Sequence, residues 1–220
     1  MIRAFGSALS ALLVCACAGG MPAEDPARAA SAAAALHWTV ETADGRLLGS
    51  ATVIAAGQVV TNAHVVAAAR HASMRIRSGG EIHAVRRVGI ANSADIALLG
   101  IDGLTVAPPT PRRAPPDATD RVFAVGSTGD GVWSVSGEVL PAAAARPFGT
   151  DLIAARLPVA RGFSGGPVVD AQGRLVGVVM AAVADNLSVA RRLSATGAAG
   201  GMMPSLTLIV PVDEIERARW

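Results

Sequence analysis

Lysine is absent from this 220-residue sequence, and cysteine occurs only twice, as Cys15 and Cys17. Both cysteines lie near the N-terminus, so the body of the chain has no disulfide and must be held by apolar burial. With no lysine, all basic charge comes from arginine, and the formal net charge is only +2. The doublets Arg86-Arg87, Arg112-Arg113 and Arg191-Arg192 are scattered over different segments, whereas a nucleic-acid face concentrates such residues; nucleic acid is not an expected partner. His37, His71 and His83 lack the spacing of a zinc site, and no calcium loop is visible. Neither a metal nor an organic cofactor is expected. Internal repeats and a second domain are also not evident.

The sequence is 51% hydrophobic, enough at this length for one full core. Many short Val-, Ile- and Leu-rich segments separated by Gly, Asp and Pro point to an all-β protein. The prolines of the stretch from Ala107 to Pro116 oppose both helix and central strand, and mark an internal boundary. Asp213 to Arg219 reads as a short terminal helix with acids early and bases late, which suits the helix dipole.

The N-terminus has the pattern of a secretory signal over residues 1–18: Arg3, an apolar stretch to about Ala18, then small residues. It is short for a membrane span. Val14-Cys15-Ala16-Cys17 resembles a lipoprotein cleavage box with Cys17 as the lipidated residue; ordinary cleavage after Ala18 is the alternative. Residues 19–36, rich in Ala and Pro, read as a flexible leader or tether. An exported protein is expected, periplasmic or extracellular, with a membrane tether if Cys17 is acylated.

Three segments carry chemistry: Thr61-Asn62-Ala63-His64-Val65-Val66, Ser93-Ala94-Asp95-Ile96-Ala97-Leu98-Leu99 and Arg161-Gly162-Phe163-Ser164-Gly165-Gly166-Pro167. A serine hydroxyl needs an imidazole to take its proton, and the imidazole needs a carboxylate to fix its tautomer. His64, Asp95 and Ser164 are the candidates. Each has an ordinary reading alone, as a structural histidine, a strand-end cap and a glycine turn; their joint order argues otherwise. Asp95 precedes a run that reads as a buried strand, and Asn62 suits the N-cap of a helical turn bearing His64. The glycines around Ser164 permit a tight turn that aims the N–H groups of Gly162 and Ser164 at one point, an oxyanion hole.

Chain order separates the folds that carry such a triad. Gly162-Phe163-Ser164-Gly165-Gly166 also fits the nucleophile elbow of α/β-hydrolases, but that fold places its histidine after the serine, and all four histidines here precede Ser164. A subtilisin-like order needs an aspartate before the histidine, leaving only Asp25 and Asp44, neither in a convincing strand. His, Asp, Ser is the chymotrypsin order.

On these motifs the chain resembles a trypsin-like serine protease of the chymotrypsin fold, closest to the HtrA (Deg) branch, whose histidine motif also reads Thr-Asn-x-His-Val-Val. Leu48 to Ile54, Gly173 to Val178 and Leu208 to Val212 agree, and the resemblance covers about residues 37–220. It implies two six-stranded β-barrels, barrel one over about 37–107 and barrel two over about 117–211, with the site between them. The branch has Asn before the nucleophile and trypsins have Asp; here Phe163 stands there and cannot make polar contacts, so packing is expected to order the oxyanion loop. The branch also appends a PDZ domain, and with the sequence ending at Trp220 no recruitment by a second domain is expected.

The resulting expectation is an exported serine endopeptidase acting on protein or peptide substrates through an acyl-enzyme. A catalytically silent module that binds peptides or proteins is the alternative. The oligomeric state stays open. The resemblance places a substrate pocket at Pro158, Val178, Val179 and Met180, uncharged and suited to small or medium aliphatic side chains, with residues 186–201 able to reshape it.

Overall fold

A computed structural model describes residues 25–91, 95–149, 151–183 and 205–218. Twelve strands form two closed antiparallel barrels of six. The first contains β1 (His37–Thr42), β2 (Leu47–Ala55), β3 (Gln58–Asn62), β4 (Met74–Ser78), β5 (Glu81–Ala91) and β6 (Ile96–Ile101), in the order β1-β2-β3-β6-β5-β4. The second contains β7 (Arg121–Thr128), β8 (Gly131–Val139), β9 (Ile153–Leu157), β10 (Pro167–Asp170), β11 (Leu175–Val183) and β12 (Ser205–Pro211), in the order β10-β11-β12-β9-β8-β7. Closure removes the exposed edges that an open sheet of this hydrophobicity would present.

Each barrel has its own apolar interior. Trp38, Val40, Val53, Val59, Ile76 and Leu99 fill the first; Val122, Val135, Leu157, Phe163, Val176 and Ile209 fill the second. Between them, Ile54, Val60, Ile96 and Leu98 of the first barrel meet Val178 and Val210 of the second, with Ile215. All of β1 is buried. Its even positions, Trp38 and Val40, face the interior of barrel one, while Thr39 meets Ser127 of barrel two. His37 and Thr39 therefore face Ser127 of the other barrel instead of water, while Glu41 pairs with Arg75 of β4 at 2.6 Å.

The segment between β6 and β7 contains the proline-rich stretch and lies along β11. Pro111 forms a parallel bridge with Leu175, the Arg112 N–H donates to Leu175 O at 2.8 Å, and the Leu175 N–H donates to Thr110 O at 2.8 Å. Helix α3 (Val212–Arg217; α1 is Pro26–Leu36 and α2 Ala63–Ala67) follows β12 directly, with Asp213 and Glu214 in its first turn and Arg217 in its last. It buries Val212 and Ile215, and Glu216 pairs with Arg113 at 2.7 Å.

One expectation needs correction. Residues 19–36 read as a flexible leader, but Pro26–Leu36 form a helix, α1. Asp25 caps it by accepting the N–H groups of Ala27 and Arg28, each at 3.1 Å, and Pro26 sits at the tolerant first position. The alanines that suggested low complexity are strong helix formers, and Ala29, Ala33 and Leu36 lie on one face. That face packs on Phe123, Val125, Val169 and Leu175 of barrel two.

Candidate active site

His64 lies on a short helix, α2 (Ala63–Ala67), that continues directly from β3. Asp95 immediately precedes β6, the strand paired with β3 in the register Asn62↔Ile96, so sheet pairing alone brings the two residues together. Four hydrogen bonds join them and their neighbours. Asp95 Oδ2 meets His64 Nδ1 at 2.7 Å, and Oδ1 accepts the His64 backbone N–H at 3.0 Å. The Asp95 carbonyl accepts the Ala63 N–H at 3.0 Å and Asn62 Nδ2 at 3.1 Å. Asp95 has φ +53°, a left-handed conformation that Asp tolerates better than most residues.

Asn62 occupies the cap position of α2 as expected, yet its side chain makes no cap bond. It is spent on Asp95 instead. The His64 side chain is 50% exposed and that of Asp95 22%, so the imidazole is reachable while its carboxylate partner is shielded.

Ser164 follows a turn closed by the Phe163 N–H donating to Ala160 O at 3.1 Å. Gly162 is its third residue with φ +103°, the signature of a type II turn. Among the described residues, neither the Gly162 nor the Ser164 N–H donates to a protein acceptor. The Ser164 hydroxyl donates to Met180 O at 3.2 Å; no hydrogen bond joins it to His64 among the described residues.

Phe163 is fully buried in the interior of barrel two, as its apolar character led us to expect. Packing is not the whole account of the loop, however. The Ser50 N–H donates to Ser164 O at 2.9 Å, Ser50 Oγ to Gly162 O at 2.7 Å, and Thr52 Oγ1 to Gly165 O at 2.8 Å. The loop bearing the serine is thus fastened to β2 of the opposite barrel. Sequence reasoning missed Ser50 and Thr52, along with His37, Thr39 and Ser127 behind them, because isolated polar residues alternating in a strand read as a solvent face. The one available signal is Ser50 inside Leu48 to Ile54, a stretch that also carries the likeness to the family.

The four expected pocket residues are not brought into one cavity among the described residues. Pro158 lines a depression with Arg121, Ser136, Gly137, Glu138 and Arg156. Val178 is buried between the barrels and Val179 in the second barrel's interior, so neither walls an open pocket. Their strand is covered on both faces, which a pattern of apolar residues alone does not reveal. Met180, half-buried beside Ser164, remains adjacent to the site. Residues 186–201 and Cys17 lie outside the described residues.

A cavity of about 400 Å³ between the linker and α3, lined by Arg113, Pro115, Leu152 and Asp213 among others, includes none of the three candidate residues. No group of three or more His, Cys, Asp or Glu among the described residues could hold a metal ion. No helix among them is long and apolar enough to cross a membrane.

Two six-stranded antiparallel barrels followed by a short helix make this a chymotrypsin-fold protein. The chain belongs to the trypsin-like peptidase domain family, whose model matches residues 49–178. It is similar to the serine protease Rv3671c of Mycobacterium tuberculosis, 27% identical over 176 residues, covering 76% of this chain and 44% of the relative. A probable periplasmic serine endoprotease, DegP-like, of Pseudomonas putida is 30% identical over 181 residues, covering 77% of this chain and 34% of the relative. The chain therefore spans less than half the length of these curated relatives. Among solved structures, the active form of the Rv3671c protease superposes with a TM-score of 0.68 at 20% identity, covering 98% of this chain and 92% of that one. The serine endoprotease of Yersinia pestis gives a TM-score of 0.67 at 21% identity, covering 87% of this chain and 64% of that one.

Proposed function

We propose that the protein is an exported serine endopeptidase that hydrolyses peptide bonds through His64, Asp95 and Ser164. The observation that carries this reading is the double attachment of Asp95 to His64, through the backbone N–H and Nδ1. A carboxylate on Nδ1 holds the tautomer whose Nε2 is free to accept a proton, and stabilises the imidazolium that forms.

In this mechanism Ser164 Oγ leaves Met180 O, attacks the scissile carbonyl carbon and passes its proton to His64. The oxyanion is met by the N–H groups of Gly162 and Ser164, which have no competing acceptor among the described residues. Collapse breaks the C–N bond, and His64 returns the proton to the leaving amine. Water, deprotonated by His64, then attacks the ester carbonyl; the C–O bond to Ser164 breaks, and His64 returns the proton to Ser164 Oγ. No metal or organic cofactor takes part in these steps.

Export rests on the N-terminal signal pattern and on the periplasmic description of the DegP-like relatives. Mass spectrometry of the native N-terminus distinguishes a diacylated Cys17 from a soluble form beginning at Gly19. An intact Met1 would overturn export. Substrate preference for small or medium aliphatic residues rests on the uncharged Met180 beside Ser164, since a Lys or Arg buried against it without a partner would lose several kcal/mol. A peptide-library profile dominated by cleavage after Arg or Lys would refute it.

The hydrogen bond from Ser164 to Met180 is the one observation favouring a non-catalytic binding module. A fluorophosphonate probe separates the two readings. The peptidase is labelled at Ser164, and Ser164→Ala abolishes labelling; an unlabelled wild type supports the binding module.

A further inference from the structure

Gly162 has no side chain to constrain its backbone, and contacts from outside the loop must hold it. Its carbonyl accepts from Ser50 Oγ at 2.7 Å, while the N–H of the same peptide unit donates to Ala160 O at 3.1 Å. Together these bonds fix the peptide unit on the C-terminal side of Gly162, from which its own N–H is set.

The protons on Ser50 can be assigned by counting donors. Its single hydroxyl proton goes to Gly162 O, which can only accept. Its oxygen accepts the Ser127 N–H at 2.9 Å. The remaining neighbour, His37 Nε2 at 3.2 Å, must therefore supply the proton of that contact, which requires a proton on Nε2. The same nitrogen lies 3.2 Å from Ser127 Oγ, itself 2.6 Å from Thr39 Oγ1. The ring is buried, and burial lowers the His37 pKa to about 4, which keeps it neutral near neutral pH. His37 also ends α1, its backbone N–H donating to Ala34 O. A continuous chain of contacts thus runs from the docked N-terminal helix through β1 and β2 to the turn before Ser164.

We propose that Ser50 is a positioning residue for the oxyanion turn, its hydroxyl held by His37 and the Ser127 N–H and in turn fixing the Gly162 carbonyl. It supplies from the opposite barrel the polar restraint that Phe163 cannot. This role rests on the peptidase reading above, because only turnover gives the turn its purpose.

The test compares Ser50→Ala with Ser50→Thr, which retains the hydroxyl. On a peptide substrate Ser50→Ala loses about tenfold to a hundredfold in kcat with KM within about twofold, since oxyanion contacts strengthen in the transition state. Ser50→Thr recovers most of the loss. A folded Ser50→Ala with kcat within about twofold of wild type overturns the proposal. If neither variant folds, His37 decides: His37→Gln keeps an N–H donor toward Ser50 and retains kcat, whereas His37→Leu loses about tenfold. Equal kcat in those two variants overturns it. The amide NMR signals of Gly162 and Ser164 give a reading that needs no turnover: they move in the loss-of-contact variant, and unchanged signals overturn the positioning role. An unlabelled wild-type Ser164 would instead overturn the peptidase reading.

Discussion

Phe163 lies against Gly126 so closely that a methyl group on Gly126 would sit 2.5 Å from Cδ1 and 2.7 Å from Cα of Phe163. The residue before Ser164 is thereby wedged onto β7. Gly126→Ala must push the ring or its backbone aside, and overpacking of this kind costs about 1–3 kcal/mol. We expect a lower unfolding midpoint in denaturant together with reduced turnover. A variant with both unchanged would show that the loop is not seated by this contact.

Phe163→Leu keeps an apolar side chain but leaves part of the ring's volume empty. The expected loss is about 1–3 kcal/mol of stability, with kcat falling more than KM rises, because the turn bearing Gly162 loosens. Unchanged kcat in the folded variant would remove Phe163 from any part in shaping the turn.

Asp95→Asn retains a residue tolerant of φ +53° and should fold normally. An amide can present its N–H to Nδ1, which selects the wrong tautomer of His64. Turnover is expected to fall by about 10⁴ at neutral pH, with Tm nearly unchanged. A drop of less than about tenfold would contradict the role given to Asp95.

His37 predicts a pH dependence of stability. Its pKa is lowered from 6.5 to about 4 by burial, so between these values the unfolded chain binds a proton that the folded chain does not. Stability from this group is complete above pH 6.5 and is lost as pH falls toward 4, by about 3 kcal/mol in all. Chemical denaturation across this range should show a shallower slope for His37→Gln than for wild type. Identical slopes would refute the assignment.

Ala33→Asp places a carboxylate on the buried face of α1. Undocking of the helix should expose the chain before His37 to limited proteolysis and lower Tm. If protease resistance is unchanged, the helix does not depend on that face.

The all-β character was readable because Val-, Ile- and Leu-rich segments punctuated by Gly, Asp and Pro name strands and turns directly, whereas their closure into two barrels followed from the family resemblance. His64, Asp95 and Ser164 were visible for a different reason: their neighbours impose local settings, Asn62 before a turn, Ile96 to Leu99 after the acid, glycines around the serine. Helix α1 was hidden because alanine and proline serve both a tether and a capped helix, and only docking on Phe123 and Leu175 distinguishes them. His37, Thr39 and Ser50 were hidden because alternation in a strand states that two faces differ, not that the polar one meets water. Val178 and Val179 are the converse case: they are apolar because the other barrel and the interior of their own cover them.

The hydrogen bonds from Ser50 and Thr52 to the serine loop also bear on when the protein becomes dangerous to its neighbours. If His64 and Ser164 act as proposed, a chain that has finished only its first barrel holds a base without a nucleophile. A second barrel formed alone holds a nucleophile whose glycine turn lacks the hydroxyls that restrain it. Proteolytic power, on the reading proposed here, arises only when the two halves close on each other, so half-folded molecules emerging during export are harmless to one another.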